Sequence, residues 1–329
     1  MAICEAEASS AADGRPAIIS PALAGSGDRN YVDVAGIHID CLTRAEVRSR
    51  IVELVQSGRP HQVVTVNTDF LNIGHRDPGF IDLLNAAAVS VPDGMPLLWL
   101  SQLLGRPLPE RITGTDLLMD SAGLAAEHGW SLFLLGAAPG VAQEAARRLS
   151  ERFPGLRIAG TYSPPIYEGR NRLLEARMVD VVRAARPDML FVAMGAPKQE
   201  CWIYEELEAL GVPVCIGIGG VLNFITGRIP RAPQMLQRAG LEWLFRLVLE
   251  PRRLWRRYLV EDTQALMRVL IYHRGAAVRR RPAASPVPAA PPRPPTLAAD
   301  WPFAPAAVPT APRADGAEWM IVPESTVVE

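Results

Sequence analysis

Short apolar runs rich in Val, Ile and Leu recur through the middle of the chain, separated by longer stretches whose apolar residues fall at helical spacing. Val32, Val34, Ile37 and Ile39 flank Ala35-Gly36 as in a hairpin, and Thr43 with Glu46 makes a capping box for a helix ending near Gly58. Gln62 to Val66 reads as a strand that ends in Thr65-Val66-Asn67-Thr68. Phe80 to Ala88 reads as a helix, and Val89 to Val91 as a strand stopped at Pro92-Asp93-Gly94-Met95-Pro96. Thr113 or Thr115 caps a helix through Leu117 to Glu127. The strand Leu132 to Leu135 then runs into Gly136-Ala137-Ala138-Pro139-Gly140 and a helix from Ala142 to Arg152. Arg157 to Gly160 is a further strand, followed by a helix from Asn171 to Ala185. The strand opening at Asp188 passes through Gly195-Ala196-Pro197-Lys198-Gln199-Glu200 into a helix over Trp202 to Leu210. Val214 to Ile218 closes the series and leads into Gly219-Gly220. Apolar strands with little alternation, each followed by a helix, predict a doubly wound α/β domain with a mostly parallel sheet covered on both faces.

After Gly227 the pattern changes. A helix is expected from about Gln234 to Glu250, where Pro251 forces an end or a kink, and a second helix follows. On a helical wheel Arg252, Arg253, Arg256 and Arg257 fall opposite Leu254, Trp255, Tyr258 and Leu259. That pattern suits a helix lying at a membrane interface, and equally a helix that docks its aromatic face on the core. The ends lack apolar periodicity. The expected organisation is therefore a disordered segment 1–30, an α/β domain 31–227, a basic amphipathic helical appendage 228–275 and a disordered Pro/Ala-rich tail 276–329.

Composition adds few constraints. The 329 residues are 49% apolar and 21% charged, enough for a substantial core, and the net charge of -1 hides a crowding of arginine between Arg228 and Arg281. Cys4, Cys41, Cys201 and Cys215 show neither metal-type spacing nor a disulfide framework, which favours structural thiols in a reducing compartment. The first residues lack the basic start and apolar core of a secretion signal, and no apolar run reaches the roughly 18 residues of a membrane span.

The candidate chemistry gathers at the carboxyl ends of the strands, where ligands bind in such sheets. Lys198, the only lysine, stands there beside Gln199. With it come Asp93 at a strand tip, Arg111 in a loop, and the small polar Thr65 and Asn67. Gly136 and Gly140 permit close backbone approach before a helix whose free N–H groups suit phosphate, or simply make a tight turn. Asp93 before Gly94 is a candidate base, or a turn residue. No paired aspartates of the DxD type and no His/Cys/carboxylate cluster offer a metal site, so a leaving diphosphate would rely on arginine, lysine and helix N-termini.

Thr65-Val66-Asn67, Pro92-Asp93-Gly94, Arg111-Ile112-Thr113-Gly114, Gly195 to Glu200, Gly217-Ile218-Gly219-Gly220, Arg231-Ala232-Pro233, Leu241-Glu242-Trp243 and Glu250-Pro251-Arg252-Arg253 resemble, in order, the WecG/TagA/CpsF family of bacterial glycosyltransferases. The resemblance covers about Tyr31 to Tyr258. It implies a Rossmann-like fold with a C-terminal appendage over the active site, and inverting transfer of a hexose or N-acetylhexosamine-type sugar. The implied donor is a UDP-sugar, and the implied acceptor a polyprenyl-diphosphate-linked saccharide of exopolysaccharide or surface-glycan synthesis. By the same likeness Asp93 is the base, Thr65 and Asn67 line the donor pocket, Gly219 is a substrate-binding residue, Arg111 faces the diphosphate and Gln199 the sugar. Arg246, Arg253 and Arg256 match basic positions of the appendage. Asn223 stands where the family usually carries aspartate near the uracil, and an amide there keeps one acceptor but adds a donor. The expected protein has no cofactor, works on the anionic inner face of the cytoplasmic membrane and has no nucleic-acid partner, with self-association left open. A non-catalytic nucleotide-sugar-binding protein is the alternative. A dinucleotide-dependent oxidoreductase is less favoured, because the first strand lacks a following GxGxxG.

Overall fold

The computed structural model describes residues 30–165, 171–233, 235–236, 240–272 and 278–280. Apart from Asn30 and residues 278–280, the two segments expected to be disordered lie outside that description. At the centre is a six-stranded parallel sheet in the order β4-β3-β8-β7-β5-β6. Its strands are β3 (His61–Val66), β4 (Val89–Pro92), β5 (Ser131–Gly136), β6 (Arg157–Tyr162), β7 (Met189–Ala193) and β8 (Val214–Gly217). All but the edge strand β6 are buried along their whole length, which is why they read as unbroken apolar runs.

Successive residues alternate between the two faces. Val63, Leu132, Leu134, Phe191 and Ile216 pack against α1 (Arg44–Gln56), α5 (Gly114–His128), α6 (Val141–Arg152) and the short α9 (Val221–Ile225). On the other face, Val64 and Val66 meet α2 (Thr68–Arg76), α3 (Pro78–Ala86) and α4 (Met95–Leu103), while Phe133, Leu190 and Val192 meet α7 (Arg172–Ala185) and α8 (Lys198–Leu210). The architecture is the expected Rossmann-like α/β sheet with helices on both faces. The chain builds β3 and β4 toward one edge, crosses to lay down β5 and β6 at the other, then fills inward with β7 and β8. Loops leaving β3 and β8 therefore diverge, and the crevice between them opens at the carboxyl ends of the strands.

The hairpin β1 (Asn30–Val34) and β2 (Ile37–Asp40) forms as expected, and buried Asp40 accepts the Ser90 N–H at 2.9 Å, tying it to β4. Val278–Arg280, assigned from sequence to the tail, instead forms β9 on the open edge of β1. A free edge of unpaired backbone groups accepts such an addition with little demand on side chains.

Other expectations change in the appendage. The long helix from Gln234 is interrupted: Gly240 takes a φ of 73°, Leu241 N–H donates to the Leu236 carbonyl at 2.8 Å, and the helix proper is α10 (Glu242–Leu249). Pro251 opens α11 (Pro251–Arg256) at a first-turn position where its missing N–H costs nothing. A π-helical turn, Arg257–Glu261, leads into α12 (Asp262–Tyr272). The wheel is realised in neither of its simple forms. Leu254 is buried and Tyr258 meets Trp243 edge-on at 6.4 Å, whereas Trp255 and Leu259 are about half exposed. Arg257 turns inward to Asp69. Cys201 is disulfide-bonded, against the expectation of free thiols, while Cys41 and Cys215 are free. Spacing in sequence does not report which thiols meet in space.

Candidate active site

The crevice is a cavity of about 540 Å³ walled by the loops after β3, β4, β7 and β8, the start of α5, and the appendage. Asp93 stands at the tip of β4, where its N–H donates to the Val66 carbonyl at 2.6 Å and so binds the ends of β3 and β4 together. Gly94, at a φ of 142°, turns the chain at once into α4 and leaves the carboxyl facing the cavity. Thr113 and Asp116 form a capping box on α5. The next N–H, that of Gly114, reaches Asp93 Oδ2 at a long 3.5 Å. Asp93 is half-buried in the cavity wall, and the desolvation it meets there raises its carboxyl to about 6. The Gly114 N–H and the Arg111 charge pull the other way, and Glu242 and Asp116 push it up further. A carboxylate near 6 is a better proton acceptor at neutral pH than an ordinary aspartate.

The basic groups enter from both sides. Arg111 pairs with Glu242 of α10 at 2.9 Å, and Arg231 bridges Glu242 and Asp116 at 3.5 Å each, stitching the appendage to the sheet domain. Arg257 pairs with Asp69 of α2 at 3.3 Å. Arg246 lies over the Phe224 ring, 5.3 Å from its centroid, and has no carboxylate partner among the described residues. Asp262, beside Asp69 and Glu261, is raised to about 6 mainly by burial.

At the floor, Thr65 Oγ1 donates to the Gly217 carbonyl at 3.4 Å. Asn67 caps α2 by accepting from the Asp69 and Phe70 N–H groups, which leaves its NH2 for a ligand. Gln199 Oε1 accepts from both the Gly195 and the Gly219 N–H, at 3.1 and 3.0 Å, and Gln199 Nε2 donates to Glu200 at 2.7 Å. One amide hydrogen is then all that Gln199 has to offer a sugar.

Of the residues singled out from sequence, Thr65, Asn67, Asp93, Arg111, Gln199, Gly219 and Arg246 line this cavity. Gly136, Lys198, Asn223 and Arg256 do not. Gly136 belongs to β5, beyond β7 from the crevice, and a Cβ there would stand 2.5 Å from the Ala193 carbonyl oxygen; its glycine serves strand packing. Lys198 begins α8, where desolvation lowers its pKa and the charge of Glu175 of α7 acts against that. Asn223 lies on α9 next to Phe224, which does line the cavity. Arg256 is exposed and pairs with Glu261 at 3.4 Å, and the Arg253 side chain lies outside the described residues. Sequence reasoning missed Asp69, Trp99, Glu242, Trp243, Arg257, Tyr258 and Asp262 as lining residues. Glu242 and Trp243 belonged to a recognised block, which was a usable signal; the others reach the cavity only through packing of α2, α4 and the appendage. Among the described residues no three His, Cys, Asp or Glu side chains gather as metal ligands.

A family model described as Glycosyl transferase WecG/TagA/CpsF family matches residues 32–279. A Bacillus spizizenii protein named N-acetylglucosaminyldiphosphoundecaprenol N-acetyl-beta-D-mannosaminyltransferase is 34% identical over 197 residues, 60% of this chain and 74% of that protein. A Bacillus subtilis protein of the same name is 34% identical over 204 residues, covering 62% and 77%. A Staphylococcus aureus protein, also so named, is 30% identical over 227 residues, covering 68% and 87%.

Proposed function

Because the chain belongs to the WecG/TagA/CpsF family of glycosyl transferases, we propose that it moves a hexose or N-acetylhexosamine-type sugar from a UDP-sugar to a polyprenyl-diphosphate-linked saccharide, with inversion. The observation that carries this reading is Asp93, a carboxyl raised to about 6 that faces a cavity with Arg111 and Arg246 on its walls. In the proposed reaction the acceptor hydroxyl gives its proton to Asp93 as its oxygen bonds to the anomeric carbon. The bond from that carbon to the diphosphate oxygen breaks, and UDP leaves with the electron pair. Arg246 and Arg111 take up the charge that develops on the diphosphate. To reach Arg111 the diphosphate competes with Glu242. Thr65, Asn67 and Gly219 are the donor-side contacts in this reading, and the relatives' names supply the lipid-linked acceptor.

Such an acceptor stays in the bilayer, and no helix among the described residues is long and apolar enough to cross one. The exposed apolar side chains suit a surface contact instead. Trp99 and Leu103 of α4, Leu244 and Val248 of α10, Trp255 and Leu259 after Pro251, and Met267 and Ile271 of α12 are each spaced one helical turn apart. Arg252 and Arg256 are exposed on α11. Apolar and aromatic groups beside arginine match the anionic inner surface of the cytoplasmic membrane. Incubating the full chain with a panel of UDP-sugars and a polyprenyl-diphosphate-linked N-acetylglucosamine tests the reading, which fails if no donor is consumed.

A further inference from the structure

We propose that Glu200 is a positioning residue, whose carboxyl orients the Gln199 amide and through it holds the turns at Gly195 and Gly219 that floor the cavity. Glu200 is a carboxylic acid only 1% exposed, in the first turn of α8. Its Oε1 accepts from Gln199 Nε2 at 2.7 Å, and its backbone carbonyl accepts from Gln62 Nε2 at 3.1 Å, fixing that first turn against β3. A buried carboxyl is costly, so a site that keeps one and gives it a short hydrogen bond is using it.

The use follows from satisfiability. Gln199 Oε1 accepts two backbone N–H groups, those of Gly195 and Gly219. A flipped amide would aim its NH2 at two donors and its oxygen at the carboxyl oxygen, so the two N–H groups and the acceptor on Glu200 together leave one workable orientation. Gly195 and Gly219 sit at φ of 83° and 52°, and a Cβ on either would have no neighbour within 4 Å. These turns carry no side chain to anchor them; the Gly195 carbonyl accepts the Gln199 backbone N–H at 3.0 Å, and the Gln199 side-chain oxygen takes the N–H of both glycines and so ties the two turns to each other. Gly217 closes the arrangement: a Cβ there would stand 2.7 Å from both Gln199 Nε2 and Glu200 Oε1. Burial raises Glu200 to about 7 against the Gln199 hydrogen bond, with Asp69 of α2 adding to the rise. A proton on the unpartnered Oε2 leaves Oε1 an acceptor, so the tie survives titration.

The consequence for turnover rests on the glycosyl-transfer reading, whereas the tie itself does not, and two readouts separate them. In the full chain, Glu200→Met is expected to speed amide hydrogen exchange at Gly195 and Gly219 roughly 10-fold or more, the effect of one lost buried hydrogen bond. It is expected to lower kcat by about the same factor, with KM for the donor changed less. Glu200→Gln keeps a carbonyl oxygen for Gln199 and is expected to stay within about 3-fold of wild type on both readouts. In a Gln199→Ala background, Glu200→Met should add less than about 2-fold, because a residue acting through Gln199 has nothing further to lose. Additive losses, unchanged exchange, or a Glu200→Gln variant as impaired as Glu200→Met would each overturn the proposal. If Glu200→Met does not fold, Glu200→Asp takes its place, since its carboxyl falls one methylene short of the amide. If no UDP-sugar is turned over by wild type, the reading of the reaction fails while exchange at the two glycines still decides the role of Glu200.

Discussion

Gly136→Ala separates strand packing from ligand contact. The residue sits at a φ of 104° at the end of β5, and an added Cβ would lie 2.5 Å from Ala193 O and 2.7 Å from Ala193 C. That carbonyl cannot easily yield, because it accepts the Ala137 N–H at 2.9 Å and belongs to β7 next to the site. Holding alanine at such a φ costs about 1 kcal/mol, and overpacking against fixed backbone about 2 kcal/mol more. At roughly 2–4 °C per kcal/mol for a domain of this size, the melting temperature should drop by about 6–12 °C. Gly140→Ala is the control: its φ is 78° but nothing lies within 4 Å of the added Cβ, so only the backbone cost of about 1 kcal/mol applies. Thermal unfolding of both variants beside wild type, with UDP binding by calorimetry, reads the difference. Equal melting temperatures for the two variants would refute the steric argument. Lost UDP binding at an unchanged melting temperature in Gly136→Ala would return Gly136 to the ligand site.

The acidic limb of the kcat/KM profile should fall with one proton below about pH 6, because the ionised form of Asp93 is the base. Glu242→Gln removes a negative charge that raises this carboxyl, so the limb should move to lower pH; a shift upward contradicts the assignment. The same raised carboxyl binds a proton more tightly in the folded than the unfolded chain, so its contribution to stability is lost as pH rises through about 6. Reversing Arg252 and Arg256 to glutamate should release the protein from anionic liposomes, since each basic charge contributes roughly 1 kcal/mol near such a surface. A variant that floats with the lipid like wild type ends the electrostatic docking idea. Transfer should persist in excess EDTA; activity lost there and restored by magnesium would assign the leaving diphosphate to a metal rather than to arginine.

The sheet was legible because its strands are buried on both faces and read as apolar blocks, and the Thr43–Glu46 box announced α1 directly. α4 was not legible: Pro96 looks like a breaker, yet it occupies the first helical turn, where the missing N–H has no partner to lose. α2 was hidden by Asn67, which reads as the polar end of a strand while capping the next helix. In the site, residues at the tips of β3, β4 and β8 could be placed by topology alone. Lys198 and Gln199 show the limit: adjacent on α8, they leave the helix about 100° apart, and Gln199 lines the cavity while Lys198 does not. Arg257 and Asp262 were out of reach, because a π-helical turn set their direction.

Asp93→Asn decides whether Asp93 is the base of a sugar transfer in this cavity. The amide keeps the shape of the β4 tip and leaves the backbone bond to Val66 in place. Turnover of the UDP-sugar with the lipid-linked acceptor is expected to fall about 10²- to 10⁴-fold, with UDP affinity and melting temperature close to wild type. Turnover equal to wild type would remove Asp93 from the reaction.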